Sequence, residues 1–319
     1  MSLGHGMSEK KHNTVLVTGG RGFLGRALVK LLQRTGYRVM SLDRSPVENP
    51  IKELPSAEIQ LDISDASALG RLFEEKSFNA IVHLAAVLPT AAQADSVLAT
   101  KVNVAGSMNL LECARRFAVE RFVFGSSLSV YGTCLADQHV SETHRAAPED
   151  VYGAAKLYVE QVGATYRQQH GTQFVSLRIG RVVGPGAQSS TSAWRSQIFE
   201  FLNAEHPVEI ALPYAGTERL LLIHVEDAAA MLARLVESEA LNFSIYNSVC
   251  EMVTVDELEQ KIEKLNSNVH VKTGKAPAAG NPRWLDCSRF QREFDFQATS
   301  IFDRMEVERH RKSADRDAH

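Results

Sequence analysis

The stretch TVLVTGGRGFLG (14–25) decides how the rest of the chain is read. An apolar run, Thr14 to Thr18, has the length and β-branched content of a buried strand. Glycines follow at 19, 22 and 25. In that spacing Gly19 permits the tight turn, Gly22 lets backbone approach a pyrophosphate, and Gly25 lets helix and strand pack closely. The helix begins at once with Phe23 and Leu24, and its Phe23, Leu24, Ala27, Leu28, Leu31 and Leu32 share one face. Its unpaired N–H groups and positive dipole end suit phosphate. A glycine pattern alone is weak; strand before it and helix after it give it meaning.

Outward from this turn, the chain alternates short apolar runs with helical patterns. Strands are expected at 14–18, 38–42, 57–60, 80–84, 121–126 and 173–178. Helices are expected at 23–35, at 65–75 behind an Asp65 cap, at 95–117, and at 151–169 with Gly171 as its stop. That order predicts an α/β, doubly wound (Rossmann) parallel sheet, with its ligand crevice at the carboxyl ends of the strands. Past 180 the pattern loosens. Helices near 194–204, 227–237 and 254–265, with short strands near 208–211, 220–224, 244–247 and 269–272, read as a smaller C-terminal α/β substrate lobe. The expected division is a leader at 1–12, a dinucleotide domain at 13–180, a lobe at 181–302 and a charged, frayed tail at 303–319.

Asp43 ends the second strand, 18 residues after Gly25. A carboxylate there accepts from ribose hydroxyls and repels a 2′-phosphate, which favours NAD. NADP is the less favoured cofactor, with Arg21 and Arg44 as the residues able to reach its phosphate. Asp62 is read either as an adenine contact or as a helix cap.

GSSLSVYG (125–132) and YGAAK (152–156) supply the chemistry. Tyr152 and Lys156 are four residues apart, so on a helix they share a face. An ammonium there is expected to lower the phenol from its ordinary value near 10 by about 2–3 units. Ser127 adds a hydroxyl for the substrate oxygen. Together they make a proton relay for redox chemistry at a carbinol carbon. His83, His224, Trp194 and Trp284 are read as structural, His224 preceding an Asp227 helix cap.

Composition excludes other classes. Of 319 residues, 44% are hydrophobic and 23% charged, and the formal net charge of −3 gives no basic field for nucleic acid or an anionic membrane. No run approaches the ~18–20 apolar residues of a membrane span. The four cysteines, Cys113, Cys134, Cys250 and Cys287, contain no C-x-x-C pair, so neither a metal site nor a disulfide framework is read. Reduced thiols fit a cytoplasmic protein.

The chain resembles the extended short-chain dehydrogenase/reductases, the NAD-dependent epimerase/dehydratase group, from about 13 to 300. The resemblance rests on TGGRGFLG, Asp43, Asp62, HLAA (83–86), Asn103, SSLSVYG, YGAAK, LRIGRVVGPG (177–186) and HVEDAA (224–229). It implies Ser127, Tyr152 and Lys156 as catalytic. It places Ile63 beside Asp62, and Leu84, Ala85, Ala86 and Asn103, around the cofactor. It also implies a homodimer formed through the 95–117 and 151–169 helices, and Arg219 on the diphosphate of a sugar nucleotide. Dehydratases of this group carry Asp-Glu after the catalytic serine; Leu128 and Ser129 stand here instead. Arg181 replaces the asparagine of many epimerases, and VLPTAAQADS (87–96) is short and free of aromatics. These departures leave room for a smaller acidic substrate held by Arg181 or Arg219, with Ser129 near Ser127. The expected activity is therefore a sugar-nucleotide epimerase acting by transient hydride transfer. The first alternative is a dehydrogenase of a smaller hydroxy compound such as a sugar acid, and the second a non-catalytic dinucleotide sensor.

Overall fold

Strands β1 (Thr14–Thr18), β2 (Arg38–Asp43), β3 (Ala57–Gln60), β4 (Ala80–His83), β5 (Arg121–Ser127) and β6 (Gln173–Ile179) form where the apolar runs place them. The computed structural model describes residues 14–45, 57–134, 139–187 and 192–317; the expected leader at 1–12 lies outside them. The chain continues through β7 (Arg181–Val183), β8 (Val208–Tyr214), β9 (Arg219–His224), β10 (Ile245–Asn247), β11 (Glu251–Thr254) and β12 (Val269–Ala276). Seven strands make one parallel sheet in the order β10-β6-β5-β4-β1-β2-β3. Strand order reverses between β1 and β4, which opens a crevice at their carboxyl ends.

The helices are α1 (Phe23–Arg34), α2 (Ala66–Glu75), α3 (Pro89–Ala94), α4 (Ser96–Ala99), α5 (Ser107–Arg116), α6 (Val151–His170), α7 (Trp194–Glu200), α8 (Val225–Glu237), α9 (Val255–Leu265), α10 (Ser288–Phe294) and α11 (Ile301–Asp317). One sheet face packs on α1 and α8 through Val15, Val17, Leu28, Leu32, Met231 and Leu235. The other packs on α2, α5 and α6 through Leu16, Ile81, Leu111, Phe122 and Val159. Asp65 accepts from Ala68 N at 2.9 Å as the α2 cap, so Asp62 is not the cap. Gly171, at φ 71°, stops α6.

Several expectations change. The helix expected at 95–117 runs from Ser96 to Arg116 with one change of winding. Asp95 ends α3 and caps α4, accepting from Leu98 N at 2.8 Å, and a π-helical turn at Thr100–Gly106 precedes α5. The lobe does not hold everything after 180. Segment 244–247 returns as β10, the edge of the main sheet beside β6, and α8 covers the sheet because its Ala228, Ala229, Met231 and Leu232 need an apolar surface. The α8 cap is His224, whose Nδ1 accepts from Glu226 N at 3.3 Å. Asp227 instead receives Arg304 Nη2 at 2.9 Å. The charged tail expected from 303 is the body of α11. Ile301 and Met305 are buried in the lobe core, and Arg304 also binds Glu226 at 2.5 Å. The lobe core itself joins β7, β9 and β11 to the β8–β12 pair around Trp194, Ile198, Leu222 and Leu258.

His83 is structural, as read. Its Nδ1 lies 2.7 Å from Thr18 Oγ1 and its Nε2 2.9 Å from Ser107 Oγ. Ser107 already donates to Asn103 O at 2.6 Å, so its oxygen accepts from Nε2–H, and Nδ1 accepts from Thr18. Burial, then the Lys156 charge, holds the ring down to about 3. Between that value and the ordinary 6.5 the unfolded chain binds a proton that the folded chain refuses, so stability falls as pH falls through this window. The slope from one group is at most about 1.4 kcal/mol per pH unit. Urea unfolding of His83→Asn is expected to show lower stability than the parent at pH 7 and a gap that narrows towards pH 4; parallel curves would contradict the neutral ring.

Candidate active site

The glycine turn lies at the crevice mouth. Gly19 adopts φ +69°, and a Cβ there would come within 2.7 Å of Ala85 N. Gly19 N donates to Leu42 O at 2.8 Å and Gly22 N to Gly19 O at 3.0 Å. Gly22 caps α1 with backbone alone, and no acidic residue occupies the first turn, so the N–H groups of Phe23, Leu24 and Gly25 meet no side-chain cap. Leu84 N bonds Thr18 O at 3.0 Å, which sets Leu84, Ala85 and Ala86 beside this turn. Asp43 ends β2 half-buried, its Oδ1 accepting from Ser45 N at 3.1 Å. Arg44 is exposed, and Arg21 Nη1 donates to Ser45 O at 3.2 Å. Asp62 Oδ1 accepts from Ser64 N at 2.8 Å, the main reason its carboxyl is held below the usual range. Ile63 is buried against Gly106. Buried Asn103 clamps the loop after β4, accepting from Val87 N at 2.7 Å and donating to Val87 O at 2.9 Å.

Across the crevice, β5 and α6 bring the relay together. Ser127 is the last residue of β5; its Oγ donates to Ser129 Oγ and accepts from Ser129 N, each at 3.1 Å. Asp150 caps α6 by accepting from Gly153 N at 2.6 Å. Gly153 is required where it stands: a Cβ would come within 2.5 Å of Ser129 O. That close approach puts Tyr152 beside Ser127. One turn on, buried Lys156 Nζ donates to Gly125 O at 2.6 Å, 4.6 Å from the Phe124 ring centre and 5.5 Å from that of Tyr152.

The electrostatics differ from the sequence expectation. Tyr152 is pushed up to about 12, by burial first and then by Asp150; Ser127 and Arg195 pull it back without winning. Lys156 is pulled down to about 7 by burial, which Glu160 opposes. In this state the phenol keeps its proton, and the lysine serves chiefly to tie α6 to β5. Behind it Glu160 accepts from Arg178 Nη2 at 2.6 Å in a buried pair. Arg178 lies 4.7 Å from the Tyr131 ring centre, and Tyr131 Oη donates to Asn247 Oδ1 at 2.7 Å.

The arginines expected on the substrate side come from the lobe. Arg181, the first residue of β7, donates to Ala279 O at 3.2 Å and sits 5.7 Å from the Tyr214 ring centre. Arg219 opens β9 and lies 5.0 Å from the ring centre of Trp284, which stacks on His139. Segment 278–284 forms a strap tied to the chain beyond β5, with Gly280 N on Thr133 Oγ1 at 2.7 Å and Arg283 N on Cys134 O at 3.3 Å. Sequence reasoning missed this strap and also Arg195. An arginine that follows a Ser/Thr-rich loop has no spacing signature, and only the fold carries it to Tyr152.

The glycine turn, the Asp43 carboxylate at the end of β2 and the Ser127, Tyr152 and Lys156 side chains border one crevice of an α/β parallel sheet. The family model described as "NAD dependent epimerase/dehydratase family" matches residues 15–247, and the chain belongs to that family. It is 31% identical over 168 residues to a UDP-glucose 4-epimerase of Schizosaccharomyces pombe, covering 49% of this chain and 47% of that protein, so the chain spans about half of that relative. It is 27% identical over 264 residues to the mitochondrial L-threonine 3-dehydrogenase of Sus scrofa, covering 81% and 69%. Among solved structures, the Thermus thermophilus UDP-glucose 4-epimerase in complex with NAD superposes with TM-score 0.80 at 25% identity, covering 93% of this chain and 98% of that one. The uncapped α1 terminus, the tight Gly19 turn and the Asp43 carboxylate fit NAD, the cofactor of this enzyme. No helix among the described residues is long and apolar enough to cross a membrane.

Proposed function

We propose that the protein is an epimerase-type enzyme for a nucleoside-diphosphate sugar, with Ser127, Tyr152 and Lys156 as its catalytic residues. The observation that carries this reading is the convergence of those three side chains at the carboxyl end of β5, opposite the glycine turn. Gly19, Gly22, Phe23, Leu24, Gly25, Asp43, Asp62, Ile63, Leu84, Ala85, Ala86 and Asn103 would hold NAD, which when bound supplies the hydride acceptor and donor for the carbinol carbon. The chain supplies the proton. A substrate oxygen between Ser127 Oγ and Tyr152 Oη is held by both hydroxyls. With its phenol protonated, Tyr152 is ready to donate when a carbonyl is reduced. In the oxidising direction it must first lose that proton, which the nearby Lys156 and Arg195 cations favour once the crevice is filled. Arg219, with no ion pair among the described residues, suits a diphosphate.

A second reading, a dehydrogenase of a smaller hydroxy compound, is favoured by Arg181, whose guanidinium hangs on one carbonyl oxygen of the strap. We also infer a cytoplasmic homodimer. The four free cysteines fit a reducing compartment. Val97 on α4, 78% exposed, and Tyr158 on α6, 50% exposed, present apolar surface on the two helices that the resemblance assigns to the interface.

Incubating the protein with NAD and UDP-glucose, while following absorbance of reduced cofactor, separates the readings. Epimerised product without net absorbance supports the first; accumulation with a smaller hydroxy acid supports the second. Tyr152→Phe is expected to lower turnover at least ~100-fold; unchanged turnover would remove Tyr152 from the mechanism. Light scattering is expected to give twice the chain mass, reverting to the monomer in Val97→Asp/Tyr158→Asp. A monomeric parent would end the dimer reading.

A further inference from the structure

One glycine of the lobe is held from both ends, by the cofactor turn on one side and by α7 on the other. Gly186, in the loop after β7, has φ +92°, a left-handed backbone that favours glycine. Its carbonyl accepts from Arg26 Nη2 at 3.0 Å. Its N–H donates to Ser196 Oγ at 2.9 Å and to Glu200 Oε1 at 2.8 Å, both on α7, and Ser196 Oγ itself donates to Glu200. A guanidinium therefore sits on the oxygen of this residue and a carboxylate on its nitrogen, and bonds to ionised partners are stronger than neutral ones. Arg26 is in turn anchored in the cofactor turn. It lies in α1, where its N donates to Gly22 O at 2.9 Å, and its Nη1 donates to Arg21 O at 3.0 Å. Arg21 stands between Gly20 and Gly22. One planar fork thus spans two carbonyls, one in the glycine turn and one in the lobe. Gly186 is equally well tied to the lobe. Gly184 N donates to Arg195 O at 3.0 Å, and Trp194, Ile198 and Phe199 of α7 are buried in the lobe core with Leu220 and Leu222.

We propose that Arg26 and Glu200 are positioning residues: together they clasp Gly186, so that the glycine turn and α7 move as one and dinucleotide binding orders the lobe. The phosphates of NAD would fix the turn through the N–H groups of Phe23, Leu24 and Gly25. That holds the Arg21 carbonyl still, and with it the Arg26 fork and the Gly186 carbonyl. Ser196 and Glu200 pass the constraint to α7, and the packed side chains of the lobe core carry it further. Such a clasp couples two sites by restricting motion, with no change of shape required. The coupling is reciprocal, so a ligand that orders the lobe tightens NAD. The inference rests on NAD as the cofactor and holds for either reading of the substrate. A purely structural link would hold the two parts together equally with and without NAD. The clasp is distinguished by a response in α7 that NAD switches on.

The test is hydrogen–deuterium exchange read by mass spectrometry on the full chain, with and without saturating NAD, compared within each protein. Slowing of the 19–25 amides shows in every case that NAD is bound. In the parent, NAD is expected to slow the 194–203 amides as well, by about 3-fold. Arg26→Met keeps the apolar stem and removes the fork; it is expected to weaken NAD by about 5-fold and, at saturation, to leave 194–203 unresponsive. Arg26→Lys, whose ammonium reaches one carbonyl at a time, is expected to give an intermediate slowing. Glu200 is exposed, so Glu200→Ala is a mild change that leaves the turn untouched. It is expected to abolish the response of 194–203 while NAD still slows 19–25. Should Arg26→Met fail to fold, Arg26→Lys and Glu200→Ala decide. The proposal falls if NAD leaves 194–203 unchanged in the parent, or if the slowing persists in the variants. It also falls if only Glu200→Ala loses the slowing, because the order of α7 would then come from the lobe alone.

Discussion

One hydrogen bond, from the Lys156 ammonium to the carbonyl of Gly125 at 2.6 Å, fixes the site's geometry. It ties the middle of α6 to the end of β5, so Tyr152 and Ser127, borne on different elements, face the same space. An ammonium removed from water costs several kcal/mol unless it is well partnered. Here the carbonyl, the Phe124 face and, one turn further on, Glu160 share that role. Glu160 is itself held by Arg178, which packs on Tyr131. The relay therefore stands on a buried polar chain that crosses β6, and a break anywhere along it would misplace Tyr152.

The same desolvation sets the character of the crevice. It raises Tyr152 and lowers Lys156, so the unliganded site holds a neutral phenol beside a lysine poised near neutrality. Arg181, Arg195 and Arg219 add positive charge without described counter-ions, on a chain whose net charge is −3. The cationic field is local, placed where an anionic cofactor and substrate would enter. In both cases burial has overridden the simple pairing of Tyr152 with Lys156 along a helix.

Much of this was legible from residues close in sequence. The glycine turn, the first six strands, the Asp65 cap and the Tyr152–Lys156 face all depend on spacings of a few residues, which local sterics enforce. What escaped depends on distant partners. Segment 244–247 looks like any short strand until Ser176, Leu177 and Arg178 of β6 offer it an edge. The charged stretch from 303 reads as a tail unless Glu226 and Asp227 are known to await Arg304. The π-helical turn at Thr100–Gly106 lies inside a helix whose apolar periodicity gives no sign of it. Arg195 packs beside Trp194, whose ring meets that of Tyr214, a neighbourhood set by the fold and by no local spacing.

The most direct measurement is the titration of Lys156 itself, followed by NMR in protein carrying 13C at the lysine ε-carbon and assigned by the resonance lost in Lys156→Arg. A midpoint near pH 7 is the predicted result. A midpoint near 10.4, the ordinary lysine value, would contradict the account, because burial would then not govern the charge of the group that joins α6 to β5.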